Sequence, residues 1–188
     1  MRIISGLFKG KKILQPKDIK TRPLKDLTKE SIFNIILHSR KFNLDFTNSH
    51  ILDLFAGVGS FGIECLSRKV KSVIFAENYS GVIPILKKNL ENLKFLKNYT
   101  ILEKNIYEDN FFINLNLNFD LIFLDPPYKD KNLDKLLLKI RDGKILNKNG
   151  IIVLHRHKKE ADIIPLSLKI LEEKKYGISK ITFLSILN

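Results

Sequence analysis

The chain has 188 residues, a length at which one domain can bury an extensive hydrophobic core. Hydrophobic residues make up 44% of it, and no apolar run approaches the ~20 residues that a membrane span requires. The single cysteine, Cys65, excludes an internal disulfide framework and a cysteine-based zinc site, so we interpret it as a small buried residue of a helix. The N-terminal segment lacks the apolar core and cleavage site of a signal peptide, and we expect a cytoplasmic protein.

The net charge is +13, from 33 Lys and Arg against 20 Asp and Glu. Much of the excess lies in residues 1–41, which hold 11 basic and 3 acidic side chains. Clustered basic residues favour a polyanionic partner, because they gain affinity by releasing counterions from phosphates. AT-rich coding is a competing explanation, since it would also enrich Lys, Asn and Ile. The charge therefore suggests a nucleic acid without identifying one.

Residues 1–47 read as a basic extension. Two short apolar runs flank residues 5–12, where Gly6 and Gly10 supply turns, and this predicts a hairpin-like arm with basic residues at its tip. A helical pattern follows, with Asp26 as the predicted N-cap and an end near Ser39.

From His50 onward, short apolar runs alternate with amphipathic stretches. Apolar residues at helical spacing predict helices over 60–68, 80–96 and 132–141. Strands separated by helices pair in parallel, which indicates a doubly wound sheet, and the tail adds two strands joined at Gly177. We expect an α/β, Rossmann-like fold with seven strands, the last antiparallel, over residues 48–188. The first five strands are predicted at 51–55, 72–77, 99–103, 120–125 and 150–155.

A glycine-rich loop follows the first predicted strand. Gly57, Gly59 and Gly62 fit G-x-G-x-x-G between a strand and a helix, where backbone and helix N-terminus can approach a ligand closely. Glu77 ends the second strand, and a carboxylate there can accept both hydroxyls of a ribose. These features predict an adenosine-containing cofactor, either a nicotinamide dinucleotide or S-adenosylmethionine.

Two acidic positions favour S-adenosylmethionine. Asp53 lies inside the first strand, where it would repel a pyrophosphate but suits the ammonium group of a methionine moiety. The fourth strand ends in Asp125-Pro126-Pro127-Tyr128, for which hydride transfer has no use. The Asp125 carboxylate and the Pro126 carbonyl can accept both protons of an exocyclic amine, on a loop that the prolines stiffen. Tyr128 can stack on a base drawn out of its helix.

At these motifs the sequence resembles class I S-adenosylmethionine-dependent methyltransferases that act on planar amines. It resembles most closely the RsmD family, which methylates N2 of a guanine in bacterial 16S ribosomal RNA. The segment "TRPLKDLTKESIFNII" joined to "DLFAG" is more specific than the glycine loop or DPPY. The likeness runs from Met1 to about Leu184 and also includes "MRIISGLFKGKKI" and "KKYGISKITFL".

The resemblance implies a set of site residues and a partner. The partner is 16S rRNA, within a small ribosomal subunit or an assembly intermediate, and we expect a monomer without a metal. Asn105 stands where many relatives have Asp beside the adenine, and Leu27 where the family commonly has Arg. For cofactor binding, the resemblance implies Asp53, Phe55, Ala56, Gly57, Gly59, Glu77, Asn105 and Ile106. For catalysis it implies Asp125, Pro126, Pro127 and Tyr128. For RNA binding it implies Lys9, Lys11, Lys12 and Arg22.

Other functions compete with this one. The same chemistry could act on adenine N6 of DNA or RNA, or on a protein glutamine, although such relatives more often carry Asn before Pro-Pro-Tyr and lack the basic arm. A non-catalytic RNA-binding module is a third possibility, against which the intact Asp53 and DPPY argue. His155 and His157 share one predicted strand face without a third ligand, so we interpret them as solvated or RNA-facing.

Overall fold

A computed structural model describes residues 1–16, 24–94 and 96–187. Within them one sheet of seven strands is flanked by helices on both faces. The elements in chain order are α1 (Asp26–His38), a 3₁₀ turn (Phe46–Asn48), β1 (His50–Leu54), α2 (Ser60–Ser67), β2 (Ser72–Ala76), α3 (Ile83–Glu91), β3 (Tyr99–Leu102), β4 (Phe119–Leu124), α4 (Leu133–Asp142), β5 (Leu146–His157), β6 (Leu168–Tyr176) and β7 (Ser179–Ile186).

The strand order is β3-β2-β1-β4-β5-β7-β6. Strands β1 to β5 pair in parallel, and β7 lies antiparallel between β5 and β6. The predicted α/β sheet with an antiparallel last strand is confirmed. The order reverses between β1 and β4, which is where open parallel sheets place their ligands.

Two hydrophobic cores cover the two faces of the sheet. One joins the arm, α1, α2 and α3 to the sheet, and the other joins α4 to the opposite face. The central strands are almost continuously apolar because both of their faces are covered. Cys65 is fully buried in the first core, as predicted. Within the described residues, no helix is long and apolar enough to cross a membrane.

Several predicted boundaries differ from the structure: the helix predicted over 80–96, for example, is α3 at Ile83–Glu91. The cap at Asp26 is wrong: Lys25 occupies the N-cap position, and Asp26 is the first helical residue. Its carboxylate instead accepts a hydrogen bond from the Arg2 amide at 3.3 Å, because the arm passes beside the start of α1. The fifth strand begins at Leu146, earlier than predicted, and an irregularity in its register with β4 follows Phe119.

The N-terminal arm has the predicted hairpin-like form. Arg2 and Lys12 form an isolated antiparallel bridge, and the Ile3 amide donates to the Lys11 carbonyl at 2.9 Å. Gly6 has a φ of 83°, and a Cβ there would lie 1.9 Å from the Ser67 carbonyl oxygen. The arm therefore docks on α2 at a point where only glycine fits.

Buried polar groups of α2 fasten the arm. The Glu64 carboxylate accepts from the Ile4 amide at 2.7 Å and the Ser5 amide at 3.0 Å. The same carboxylate lies 2.9 Å from Arg68 Nε and 3.6 Å from the fully buried Lys29 Nζ. Burial lowers the pKa of Lys29, while Glu64 and Asp26 oppose that effect. The division into domains at residue 47 stays a prediction.

Candidate active site

A cavity of about 770 Å³ opens at the carboxyl ends of β1, β2 and β4. This volume is in the range of small-molecule sites, and the position is the expected one for an open parallel sheet. Every predicted cofactor and catalytic residue except Gly59 lines it. The structure thus brings together two motifs that lie about 70 positions apart in the chain.

The glycine loop turns sharply out of β1. Phe55 and Gly57 both have positive φ, 61° and 56°. A Cβ at Gly57 would meet nothing within 4 Å, so its backbone faces open space in the cavity. Gly59 has another role: a Cβ there would lie 2.5 Å from Leu86 Cδ1, which explains why it serves packing and does not line the cavity.

Asp53 is a buried carboxylate beneath this loop. Its side chain is 1% exposed, and Oδ2 accepts a hydrogen bond from the Gly62 amide at 2.9 Å. Burial raises the pKa of Asp53 to about 8, the Gly62 amide opposes this, and the nearby carboxylates Asp125 and Glu77 add to it. Asp53 therefore holds a proton near neutral pH, and a cation beside it would favour the ionised form. This chemistry fits the ammonium group of a methionine moiety.

Glu77 is held by three backbone amides. Oε1 accepts from Asn78 at 2.9 Å and Tyr79 at 2.8 Å, and Oε2 accepts from Gly57 at 2.7 Å. A carboxylate offers about four acceptor positions, so capacity for about one more donor is left. Glu77 accordingly suits one ribose hydroxyl more readily than the two expected from sequence.

The loop after β3 supplies a further wall of the cavity. Asn105 is exposed, and its Oδ1 accepts from the Tyr107 amide at 3.0 Å, while Ile106 is buried. Tyr107, which the sequence did not single out, lies 6.2 Å from the Phe55 ring and donates its hydroxyl to Asp130 at 2.6 Å. Burial and the contact with Asp130 raise the pKa of Tyr107, so it stays a neutral donor.

The DPPY loop begins at Asp125, directly after β4. Asp125 Oδ1 lies 2.8 Å from His155 Nδ1, and the Tyr128 and His157 rings meet edge to face at 5.0 Å. The interpretation of His155 as solvated is wrong: it is 5% exposed and packs against Asp125. Sequence could not show this contact, because it joins two strands whose adjacency depends on the sheet order.

Arg156 is a second residue that the sequence did not indicate. It is 2% exposed, and its guanidinium donates to the carbonyls of Pro127 at 2.7 Å and of Tyr128 and Asp130 at 3.2 Å. Its Nε donates to Asp162 Oδ1 at 2.8 Å. One buried side chain on β5 therefore holds the backbone of the DPPY loop in place.

The predicted RNA contacts lie outside the cavity. Lys9, Lys11 and Lys12 are exposed on the arm, and Lys11 Nζ is 3.3 Å from the Asn92 carbonyl and 5.1 Å from the centre of the Phe8 ring. Arg22 falls outside the described residues.

The segments before and after residues 17–23 both reach the cavity. Gln15, Pro16 and Leu24 line it, so the arm leads from its lysines to the cavity mouth. The exposed Lys104 and Lys129 line it as well, and sequence had not separated them from other surface lysines.

The arm is also joined to the glycine loop. Asn89 on α3 accepts from the Leu14 amide at 2.8 Å and donates to the Val58 carbonyl at 3.0 Å. This buried side chain therefore contacts both the chain leading to the cavity mouth and the backbone of the glycine loop.

Two other expectations concern single positions. Leu27, where the resemblance leads one to expect Arg, projects from α1 and is 70% exposed. In the ranges 1–16, 24–94 and 96–187, no group of three or more His, Cys, Asp or Glu side chains is arranged to hold a metal ion.

The strand order, the glycine loop and the DPPY loop at the same sheet edge define a class I methyltransferase. A solved structure supports the class: a Haemophilus influenzae protein provisionally named a methylase is 32% identical, with a TM-score of 0.75, covering 100% of this chain and 98% of that one. A structure of an Escherichia coli protein has a TM-score of 0.81 at 24% identity, covering 98% and 96% of the two chains, which shows the same fold.

The family model described as "Conserved hypothetical protein 95" matches residues 1–185, and the chain belongs to this family, the RsmD family of methyltransferases. The Ribosomal RNA small subunit methyltransferase D of Haemophilus influenzae is 33% identical over 181 residues, covering 95% of this chain and 90% of the relative. The methyl donor of such an enzyme is S-adenosylmethionine.

Proposed function

We propose that this methyltransferase transfers a methyl group to the exocyclic N2 of a guanine in 16S rRNA of the small ribosomal subunit. The observation that carries the proposal is the single cavity shared by the Asp53 and Glu77 cofactor groups and the Asp125–Tyr128 loop. The names of the relatives support ribosomal RNA as the substrate class. The guanine N2 atom follows from the resemblance and from the chemistry of DPPY.

The cofactor half of the site is built from β1 and β2. We assign the ammonium group to Asp53, a ribose hydroxyl to Glu77 and the adenine to the wall formed by Phe55 and Ile106. When bound, S-adenosylmethionine supplies an electrophilic methyl group on a sulfonium. Gly57 lets that ligand approach the backbone, because no side chain fills the space above it.

The acceptor half is the DPPY loop. The Asp125 carboxylate and the Pro126 carbonyl accept the two amine protons, which directs the nitrogen lone pair away from them and toward the methyl group. Methyl transfer would form the N–C bond and break the C–S bond, and Asp125 would be placed to take the proton that the nitrogen loses. Arg156 keeps the acceptors aimed before substrate arrives, so little reorganisation is needed in the transition state.

Several cations are placed to hold the RNA around that base. Tyr128 provides the stacking surface for the extruded guanine, an interaction worth about 1–3 kcal/mol. Lys104 and Lys129 at the cavity are positioned for the phosphates beside it. Lys9, Lys11 and Lys12 on the arm extend the basic surface along the substrate, and Arg22 stays a predicted RNA contact. We propose that the enzyme acts as a cytoplasmic monomer on the subunit or on an assembly intermediate.

The test is transfer of labelled methyl groups from S-adenosylmethionine to small subunits purified from cells that lack this gene. Duplex DNA and 16S rRNA without proteins are incubated in parallel, and the label is assigned by nucleoside analysis. Label in N2-methylguanosine is the expected result, and Asp125→Ala should abolish it. Label in N6-methyladenine, or only in protein, would overturn the proposed acceptor.

A further inference from the structure

A hydrogen-bonded chain of three side chains extends from the DPPY loop into the sheet. His155 on β5 lies with Nδ1 2.8 Å from Asp125 Oδ1 and Nε2 2.9 Å from Ser179 Oγ on β7. Both His155 and Ser179 are buried, 5% and 6% exposed. Both nitrogens of this buried histidine are engaged, as buried polar groups require, and one of them contacts the candidate catalytic carboxylate.

The sheet topology creates this chain. Leu124 and Leu154 are partners in the β4–β5 pairing, so Asp125 and His155 come next on adjacent parallel strands. On the other side, β7 is inserted next to β5 and pairs His157 with Ser179. The order β4-β5-β7 therefore places a carboxylate, an imidazole and a hydroxyl in one row.

The contacts fix the tautomer of the imidazole. When Asp125 is ionised it only accepts hydrogen bonds, so a neutral His155 must carry its proton on Nδ1, and Nε2 then accepts from the Ser179 hydroxyl. Oδ1 of Asp125 therefore already accepts a hydrogen bond from the His155 side chain. Oδ2 is left as the carboxylate oxygen for the amine of the substrate.

We propose that His155, supported by Ser179, is a positioning residue for Asp125. It sets the rotamer of the Asp125 carboxylate in a cavity that also contains the carboxyl groups of Asp53 and Glu77. This inference rests on the proposed function, since it assigns Asp125 to the acceptor amine. It adds to DPPY a residue on another strand, without which the acceptor geometry is incomplete.

The test compares two replacements of His155 with a matched control. His155→Leu fills the site but removes the donor, and His155→Asn returns an amide N–H near the position of Nδ1. The control is His50→Asn, because His50 also contacts a serine, with Nδ1 2.6 Å from Ser72 Oγ, but lies at the opposite end of the sheet. Methyl transfer to subunits is measured together with cofactor affinity and Tm for every variant.

We expect His155→Leu to lower kcat by about 10- to 100-fold, the effect of losing one hydrogen bond to a charged group. Cofactor affinity should change less than threefold, because the cofactor groups on β1 and β2 are untouched. His155→Asn should recover at least half of the loss on a logarithmic scale, and His50→Asn should match the wild type. Equal loss in the Leu and Asn variants, or a loss that follows Tm or cofactor affinity, would overturn the proposal.

A measurement without substrate separates this inference from the proposed function. In ¹⁵N-labelled protein, the imidazole shifts of His155 should show the Nδ1–H tautomer, and Asp125→Ala should remove that preference. If the tautomer is found but the wild type methylates no guanine, the proposed acceptor fails while the contact stands. If the tautomer is absent, the positioning role fails whatever the enzyme methylates.

Discussion

At the scale of a single residue, Asp53 couples protonation to ligand binding. Its carboxyl is fully buried, and its pKa is about 8 against an ordinary value of 3.8. The folded protein therefore holds a proton that the unfolded chain releases between these two pH values. By linkage the free energy of unfolding falls as the pH rises from about 4 through 8, because the folded state binds more protons in that window.

Asp53→Asn should remove this pH dependence. The amide oxygen can still accept from Gly62, so the ligand-free variant should be more stable than the wild type, and the gap should widen between pH 5 and pH 8. We expect a widening of about 3–4 kcal/mol, or roughly ten degrees in Tm. Thermal unfolding of both proteins at the two pH values measures it, and a gap that does not change with pH would contradict the burial argument.

The same substitution should weaken cofactor binding. An ammonium group beside Asp53 favours the ionised carboxylate, so wild-type affinity for S-adenosylmethionine should rise as the pH approaches 8, with release of a proton. Asp53→Asn should bind about tenfold or more weakly at pH 8 and with a flatter pH profile. Isothermal titration in buffers of different ionisation enthalpy reports both the affinity and the proton count. Tighter binding by the variant would contradict the assignment of Asp53 to the ammonium group.

At the scale of an element, the end of β5 supports a loop that belongs to β4. His155 and Arg156 are consecutive, yet one contacts the Asp125 side chain and the other the carbonyls that follow it. The DPPY loop is therefore defined by β5 as much as by its own prolines. Sequence indicated the loop but not this support, since a histidine and an arginine near a strand end ordinarily read as surface residues.

Arg156→Lys should show the importance of the guanidinium geometry. A lysine keeps the charge but cannot reach Pro127, Tyr128 and Asp162 at once, so loop carbonyls lose buried donors. We expect a loss of about 1–3 kcal/mol in stability and faster amide exchange across residues 128–131. The matched control is Arg141→Lys, on a partly exposed arginine of α4 that pairs with the adjacent Asp142. Equal effects of the two substitutions would contradict the role given to Arg156.

The arm offers a second comparison at this scale. Gly6 and Gly10 both have positive φ, 83° and 87°, but a Cβ at Gly10 would meet nothing within 4 Å. Gly10→Ala should therefore cost about 1–2 kcal/mol from backbone strain alone. Gly6→Ala should cost more, because its Cβ would also displace the arm from α2. Denaturant unfolding gives both values, and a smaller cost at Gly6 would show that the arm is not docked as described.

At the scale of the whole molecule, sequence predicted the architecture well and the site in part. The alternation of apolar runs and helical patterns is a local property, and it was sufficient for seven strands. The glycine loop and DPPY were also local, and the parallel sheet brought them together. Contacts between distant segments were not accessible, as with Asn89, whose amide joins Leu14 to the glycine loop.

Charge distribution gives a prediction for the whole molecule. Lys9, Lys11 and Lys12 converted together to Gln should weaken RNA binding and reduce the slope of log affinity against log salt by about 2. The control replaces Lys71, Lys144 and Lys148, exposed lysines at the amino ends of the strands, opposite the cavity. The control variant has the same net charge as the arm variant. An equal reduction in its salt slope would therefore show that RNA binding depends on overall charge and not on the arm.

The amide of Asn89 has a consequence for the order of events in catalysis. It holds the chain behind the arm at Leu14 and the glycine loop at Val58. A substrate that shifts the arm must therefore strain or relax the loop that receives the methyl donor, and the reverse holds as well. Because such linkage is reciprocal, RNA and cofactor should change each other's affinity by the same factor. If RNA tightens the glycine loop, the spent cofactor would leave most readily once the RNA has departed.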